Sequence, residues 1–245
     1  MIVTDVKIYR KDVWVSVADG KVPISLSYDT ARGVACSPDV CLIVYGGSPD
    51  FSREKLEEIT SLLCHSGFAV VSFDFRGTGA DSKNFFNTGL HTRVRDVRSV
   101  FREMILTFPT GRFFVLAVSM GGYVATFLDP RDIAKLVLVA PAAYDARAVH
   151  EKINFGPDFS ALIRREKSYL MSDAFGRMKD FRLVPTTIIQ FDGDDVIPPE
   201  VASRYFNSHP SPNRKTLRTL PGAHNGNFSN RERMQEFVKV LRCGQ

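Results

Sequence analysis

From residue 40 onward, the chain alternates between short, mostly apolar runs and longer segments with helical spacing. Each run has the length of a strand, and the first of them is continuously apolar, as a strand that is buried on both faces is. These runs cover residues 40–45, 68–75, 113–118, 134–140 and 186–191. Helices are predicted at residues 51–65, 92–106, 120–127, 199–206 and 231–242, with a further strand at 216–220. Such alternation favours a mostly parallel central sheet covered by helices on both faces, which is the α/β class.

A predicted hairpin precedes the alternating region. Residues 13–17 alternate apolar and polar side chains, as a half-buried strand does. Asp19 and Gly20 form a hairpin turn signal, and residues 22–28 have the composition of the returning strand. With these two strands, the sheet is predicted to have about eight.

Residues 146–184 interrupt the alternation. They hold amphipathic pieces but no clear buried strand, so we predict that they form a small lid over one end of the sheet. Residues 1–145 and 185–245 then form the core domain. The apolar side chains of the lid segment are expected to pack it onto the core and to line an acyl pocket. These side chains are Phe155, Phe159, Leu162, Ile163, Tyr169, Leu170, Met171 and Phe175.

The lid segment is also basic, with three more basic than acidic residues. A basic lid favours an anionic substrate, such as a carboxylate-bearing ester or a phosphopantetheine thioester. An ordinary charged surface explains this surplus equally well.

Composition excludes several classes of protein. The net charge of +5 is spread along the chain and mixed with acidic residues, so no nucleic-acid partner is expected. Nothing at the start resembles a signal peptide, and no apolar run approaches the roughly 18 residues that a membrane span needs. The cysteines match no zinc spacing, and we expect them to be buried in a reducing, cytoplasmic environment. They are Cys36, Cys41, Cys64 and Cys243.

The strongest signal of chemistry is the sequence around Ser119. A buried strand runs into this serine and a helix follows immediately, with small residues two positions before and after it, Ala117 and Gly121. A turn this sharp presents the hydroxyl clear of the sheet at the start of a helix, where backbone N–H groups favour a developing negative charge. Ser119 is therefore a candidate nucleophile.

Two later loops contain candidate partners for this serine. Asp192, Asp194 and Asp195 follow the strand at 186–191, and His224 lies in a glycine-rich loop after the last strand. A nucleophilic serine needs a base within hydrogen-bond reach, and the base needs a carboxylate that orients it. All these loops leave the carboxyl ends of parallel strands, where open α/β sheets bind their ligands.

Together these motifs resemble the α/β-hydrolase family, in its branch of serine hydrolases with a small lid. The similarity covers about residues 13 to 242. It rests on the motifs YGGSPD (45–50), FDFRGTGADS (73–82), AVSMGG (117–122), GDDVIP (193–198) and PGAHNGN (221–227).

The resemblance implies a role for each site residue. Ser119 is the implied nucleophile and His224 the implied base. The acid of the family lies four residues before the proline of such a loop, which points to Asp194, with Asp192 and Asp195 as close rivals. Asp145, after the sixth strand, is a further alternative.

The family stabilises the oxyanion with two backbone N–H groups. One donor is implied to be Met120, which follows the nucleophile. The other comes from the loop after the third strand, where Gly47 is implied by position and Ser48 is the alternative. A motif of the same family, Asp74 to Gly77, is expected to order loops through Asp74 and Arg76.

The resemblance implies a serine hydrolase that cleaves a small carboxylic ester or thioester through an acyl-enzyme. The expected partner is a small-molecule acyl substrate, anionic or attached to a carrier, and no metal or organic cofactor is expected. An acyltransferase or lyase that uses the same three residues remains an alternative. So does a non-catalytic, ligand-binding member of the fold, because a fold does not determine a function.

Overall fold

The computed structural model describes residues 7–17, 20–30, 33, 35, 38–224 and 228–243. Its centre is one eight-stranded sheet. The strands are β1 (Ile8–Val17), β2 (Gly20–Asp29), β3 (Asp39–Val44), β4 (Phe68–Phe73), β5 (Arg112–Val118), β6 (Ile133–Val139), β7 (Thr186–Phe191) and β8 (Lys215–Leu220). Their order across the sheet is β1-β2-β4-β3-β5-β6-β7-β8. β2 pairs antiparallel with both of its neighbours and all other pairs are parallel, so β2 alone runs against the rest.

Helices cover both faces of this sheet. They are α1 (Glu57–His65), α2 (Leu90–Thr107), α3 (Met120–Ala125), α4 (Arg147–His150), α5 (Pro157–Ile163), α6 (Ala174–Arg177), α7 (Pro199–Ser208) and α8 (Arg231–Arg242). Short 3-10 turns lie at Arg53–Leu56, Gly79–Asn87, Pro130–Asp132, Ser168–Met171 and Pro212–Arg214. α1 packs against α8 and α2 packs against α3. The predicted α/β class and the mostly parallel sheet are confirmed.

Strand ends differ from the prediction mainly in the first hairpin. β1 begins at Ile8, five residues before the predicted start. The sequence pattern did not reveal its first half, because these residues are exposed and carry charged side chains that show no alternation. Asp19, part of the predicted turn, lies outside the described residues. The helix predicted from residue 51 becomes α-helical only at Glu57, after a 3-10 turn.

The segment 146–184 contains three short helices and no strand. Phe155, Phe159 and Leu162 are buried in the main core, as expected for residues that attach the segment to the sheet domain. Two of its other apolar residues, Leu170 and Met171, are instead exposed, by 41% and 66%. The expectation that they pack inward is wrong, because their short 3-10 turn lies at the surface. The role of the segment as a lid stays a prediction.

The cysteines are only partly as expected. Cys41 and Cys64 are buried and unpaired, and burial raises the pKa of the Cys64 thiol to about 12. Cys243 is exposed; the expectation that it is buried is wrong, because it follows the last turn of α8. Cys36 lies outside the described residues.

The sharp turn after β5 depends on close packing between α3 and β3. A Cβ atom at Gly121 would lie 2.3 Å from the carbonyl oxygen of Val44 and 2.7 Å from that of Tyr45. Neither backbone carbonyl can move without disturbing the central strand β3. The start of α3 can therefore approach the end of β3 this closely only because residue 121 has no side chain.

Replacing Gly121 by alanine is expected to lower the free energy of unfolding by at least about 2 kcal/mol, because the added methyl group overlaps backbone atoms. Urea denaturation followed by circular dichroism measures the change. Gly176→Ala is the matched control: no atom lies within 4 Å of its added methyl group, so stability is expected to stay within about 1 kcal/mol. Equal stability of the two variants would contradict this account of the turn.

Candidate active site

Ser119 connects β5 to α3 in a strained backbone conformation. Its backbone angles, φ 55° and ψ −122°, lie in a region that residues other than glycine rarely adopt. The surrounding backbone holds it there: its N–H donates to Val139 O at 2.9 Å, and its carbonyl accepts from the N–H groups of Gly122 and Ala142. This geometry is that of the sharp strand-to-helix turn predicted from the sequence.

His224 and Asp194 meet Ser119 at the carboxyl ends of β5, β7 and β8. The His224 Nε2 atom lies 3.0 Å from Ser119 Oγ, and Nδ1 lies 2.9 Å from Asp194 Oδ2. Because an ionised carboxylate can only accept, Nδ1 donates to Asp194, and Nε2 is left to accept the serine hydroxyl. Both side chains are well buried, with 10% exposure for His224 and 6% for Asp194.

Asp194 is held in place by its own loop. Its Oδ1 atom accepts the backbone N–H groups of Val196 at 3.0 Å and Ile197 at 2.8 Å. These bonds leave Oδ2 directed at His224. The side chain therefore reaches the imidazole with one oxygen already fixed.

Two of the three rival acids contact other groups, and the third is exposed. Asp192 Oδ1 accepts the backbone N–H of Gly222 at 2.8 Å and so connects the two loops. Asp195 is exposed. Asp145 forms an ion pair with Arg147, whose hydrogen bonds lower the pKa of this carboxyl. Of the four candidates, Asp194 has the geometry that the predicted acid requires; its catalytic role stays a prediction.

The loop after β3 lies directly beside Ser119. A Cβ atom at Gly46 would lie 3.6 Å from Ser119 Oγ and 3.9 Å from the backbone nitrogen of Met120. At Gly47, it would overlap the Met120 side chain at 2.3 Å from Sδ. A Cβ atom at residue 46 would thus meet Ser119 at ordinary contact distance, whereas one at residue 47 would displace the end of the Met120 side chain. The N–H groups of Gly47 and Met120, predicted as oxyanion donors, belong to neighbouring backbone segments.

A buried polar network holds this loop from behind. The Tyr45 hydroxyl lies 3.2 Å from Thr78 Oγ1 and donates to Asp74 Oδ1 at 3.4 Å. Asp74 also accepts the Arg53 backbone N–H at 2.6 Å and forms an ion pair with its guanidinium. Burial raises the pKa of Tyr45 above its ordinary value, so the phenol stays protonated and able to donate. The two ends of the loop are therefore attached to one carboxylate.

Arg76 does not share this network with Asp74. Its backbone N–H and its Nε both donate to the wholly buried carboxylate of Asp96. Asp74 and Arg76, which we expected to order loops together, therefore act on two different segments. Sequence could not assign these partners, because Arg53 and Asp96 lie about twenty residues away on opposite sides of the motif.

A cavity of about 580 Å³ opens above Ser119 and His224, within the size range of small-ligand sites. Its walls come from the loop after β3 and from the segment before α8, including Phe51, Lys55 and Phe228. The sequence analysis did not identify these three residues, because no sequence motif marks a phenylalanine or a lysine as part of the wall of a cavity. No residue of 146–184 lines this cavity, so the expectation that the segment forms an acyl pocket is wrong here.

Other histidines and acidic residues do not form a second centre in the described part of the chain. His65 Nδ1 contacts the carbonyl oxygen of Ser61 on the surface of α1, and buried His209 contacts the carbonyl oxygen of Val184. The described residues contain no cluster of three or more histidine, cysteine or acidic side chains placed to bind a metal ion. None of the described helices combines the length and the hydrophobicity that crossing a bilayer requires.

Comparison with protein families matches residues 38–173 to the family described as serine aminopeptidase, S33. No curated protein sequence matches the chain significantly. Many solved structures share its fold, at sequence identities that carry no information beyond the fold.

Three of these structures illustrate the kinds of protein that share this fold. Est1E from Butyrivibrio proteoclasticus, solved with ferulic acid bound, is 15% identical with a TM-score of 0.71, and the match covers 94% of this chain and 98% of that one. The thioesterase domain from the curacin biosynthetic pathway is 14% identical with a TM-score of 0.66, covering 94% and 99%. An acylaminoacyl peptidase from Pyrococcus horikoshii is 14% identical with a TM-score of 0.69; the match covers 97% of this chain but only 42% of the peptidase.

The geometry around His224 predicts different effects for two neighbouring carboxylates. In Asp194→Asn, an amide N–H would face Nδ1 and force the imidazole proton onto Nε2, which can then no longer accept from Ser119. The rate constant for labelling of Ser119 by a fluorophosphonate is expected to fall by at least about a hundredfold.

Asp192→Asn is the control for this prediction. An asparagine keeps an oxygen that can accept the Gly222 N–H, so labelling is expected to stay within about threefold of the wild-type rate. A larger loss in Asp192→Asn than in Asp194→Asn would contradict the assignment of Asp194.

Proposed function

The chain belongs to the serine aminopeptidase S33 family of α/β hydrolases, and we propose that it cleaves a small carboxylic ester or thioester through Ser119. The observation that carries the proposal is the continuous chain of contacts from Ser119 Oγ to His224 Nε2 and from His224 Nδ1 to Asp194 Oδ2. Nucleophilic catalysis by a serine needs the serine itself, a general base and an acid that orients the base, and these three groups can fill those roles.

In the proposed reaction, Ser119 Oγ attacks the substrate carbonyl while His224 Nε2 takes the hydroxyl proton. Asp194 stabilises the imidazolium that forms, and the N–H groups of Gly47 and Met120 donate to the carbonyl oxygen as it becomes negative. His224 then gives the proton to the leaving alcohol or thiol, and the acyl group stays on Ser119.

Deacylation uses the same residues with water as the nucleophile. His224 removes a proton from a water molecule that attacks the acyl-enzyme carbonyl, and the proton returns to Ser119 Oγ when the carboxylic acid leaves. The wall of glycines beside Ser119 leaves room for the planar acyl group to approach, because Gly46 and Gly47 present no side chain there.

Charge in the cavity supports an ester or thioester rather than a peptide with a free amino terminus. No carboxylate is among the described residues that line the cavity, and Lys55 is one of them. A positively charged amino group would meet a lysine there and find no acid to pair with. Electrostatics therefore disfavours the aminopeptidase reaction for which the family is named.

Hydrolysis of p-nitrophenyl hexanoate tests the proposal. Wild-type protein is expected to hydrolyse this ester and to react with a fluorophosphonate, whereas Ser119→Ala should not be labelled and should lose activity by roughly 10⁵-fold or more. Equal stability of the two proteins in urea would show that the loss comes from the hydroxyl.

Ser61→Ala provides the matched control. Ser61 Oγ also lies near a histidine, 3.3 Å from His65 Nδ1, but that pair is exposed on α1. Labelling and hydrolysis are expected to be unchanged in this variant. Full activity in Ser119→Ala would overturn the proposed function.

A further inference from the structure

The charged residues of the 50–55 turn are divided between two cavities. A cavity of about 820 Å³ is lined by the acidic residues Asp50, Glu54, Asp74 and Asp81 and by the basic residues Lys21, Arg53 and Arg76. On the side of Ser119, the turn contributes Phe51 and Lys55 to the site cavity. The acids of the turn therefore face one cavity and its lysine faces the other.

Lys55 is held at the wall of the site cavity. Its ammonium group donates to the carbonyl oxygen of Asp50 at 2.8 Å and lies 5.7 Å from the centre of the Phe51 ring. Phe51 in turn packs on Tyr45, at a ring separation of 4.1 Å, and faces Phe228 at 6.2 Å. Lys55 is an exposed residue, so its charge stands at the rim of the cavity, beside an aromatic wall.

This ammonium group forms no ion pair with any described residue. Two acids that follow it in sequence pair with other residues, Glu57 with Arg10 and Glu58 with Arg231. Only one of the three N–H donors of Lys55 is used, by the Asp50 carbonyl oxygen. Two donors and one positive charge remain for a group that enters the cavity.

From this arrangement, and resting on the proposed function, we propose that the site selects esters or thioesters that carry one anionic group, and that Lys55 binds this group. The aromatic walls receive the apolar part of the substrate, and the lysine pairs with a carboxylate attached to it. No basic residue of 146–184 lines the site cavity, and Lys179 and Arg182 line a separate groove along α7.

Two pairs of esters test the inference, each pair differing only in whether the acyl chain ends in a carboxylate or a methyl group. They are p-nitrophenyl hemiadipate against hexanoate and hemisuberate against octanoate. Wild-type protein is expected to prefer the anionic member of at least one pair by about tenfold in kcat/KM. Sodium chloride at 0.5 M should reduce this preference, because salt screens the attraction.

Lys55→Met removes the charge and keeps the length of the side chain. The ratio of kcat/KM for the anionic ester to that for the neutral ester is expected to fall about tenfold, mainly through KM of the anionic ester. Lys55→Arg should retain the preference within about threefold. Lys179→Met is the matched control, because Lys179 is an exposed lysine of the groove along α7. This variant should leave the ratio unchanged.

The outcomes separate this inference from the proposed function. If all four esters are hydrolysed and the ratio of kcat/KM for the anionic ester to that for the neutral ester is the same in wild type and Lys55→Met, the role of Lys55 is overturned. The proposed function is then unaffected. A fall of the ratio in Lys179→Met but not in Lys55→Met assigns the anion to the groove along α7 and also overturns it. Absence of hydrolysis together with absence of fluorophosphonate labelling overturns the proposed function, and this inference with it.

Discussion

The contact between the first turn of α3 and the end of β3 is the constraint on which the site depends. Gly121 lies against the carbonyl groups of Val44 and Tyr45, so the strand that leads to Ser119 and the strand that leads to Gly46 and Gly47 end at the same point. The same turn forces the strained backbone of Ser119. Strain of this kind persists only where the surrounding structure determines it fully, and the ladder of β3, β5 and β6 provides that support.

Around this fixed point, each loop of the site is attached to a neighbour by hydrogen bonds of its backbone or side chains. The loops after β7 and β8 are joined where Gly193 donates to the Gly222 carbonyl oxygen and Gly222 donates to Asp192. The loop after β3 is attached at both ends to Asp74. Forming a hydrogen bond between two loops costs little conformational entropy when both loops leave adjacent strands, because the strands already limit the distance between them. The site is therefore positioned by pairs of loops rather than by any one of them.

Selection of a substrate follows from the same arrangement. The cavity above Ser119 has aromatic walls and a lysine but no acid among its described lining residues. The acids next to this lysine in sequence face the opposite side of the turn. This separation depends on the 3-10 turn at Arg53–Leu56, since consecutive side chains on such a turn point in different directions. A short irregular turn thus controls the charge of the site more than the large basic segment 146–184 does.

The sequence by itself determined the sheet, the order of its strands along the chain, and Ser119, because hydrophobic periodicity and a strand-to-helix turn are local patterns. For the acid, the resemblance pointed to Asp194 but left Asp192, Asp195 and Asp145 as alternatives, since the choice depends on which oxygen reaches His224. Likewise Arg93, in a helix whose other arginines are mostly exposed, is wholly buried against the rings of Phe75, Phe85 and Phe155. Only the tertiary structure decided these partners and the lining of the cavity, because they join segments that are distant in sequence and whose separation no local pattern encodes.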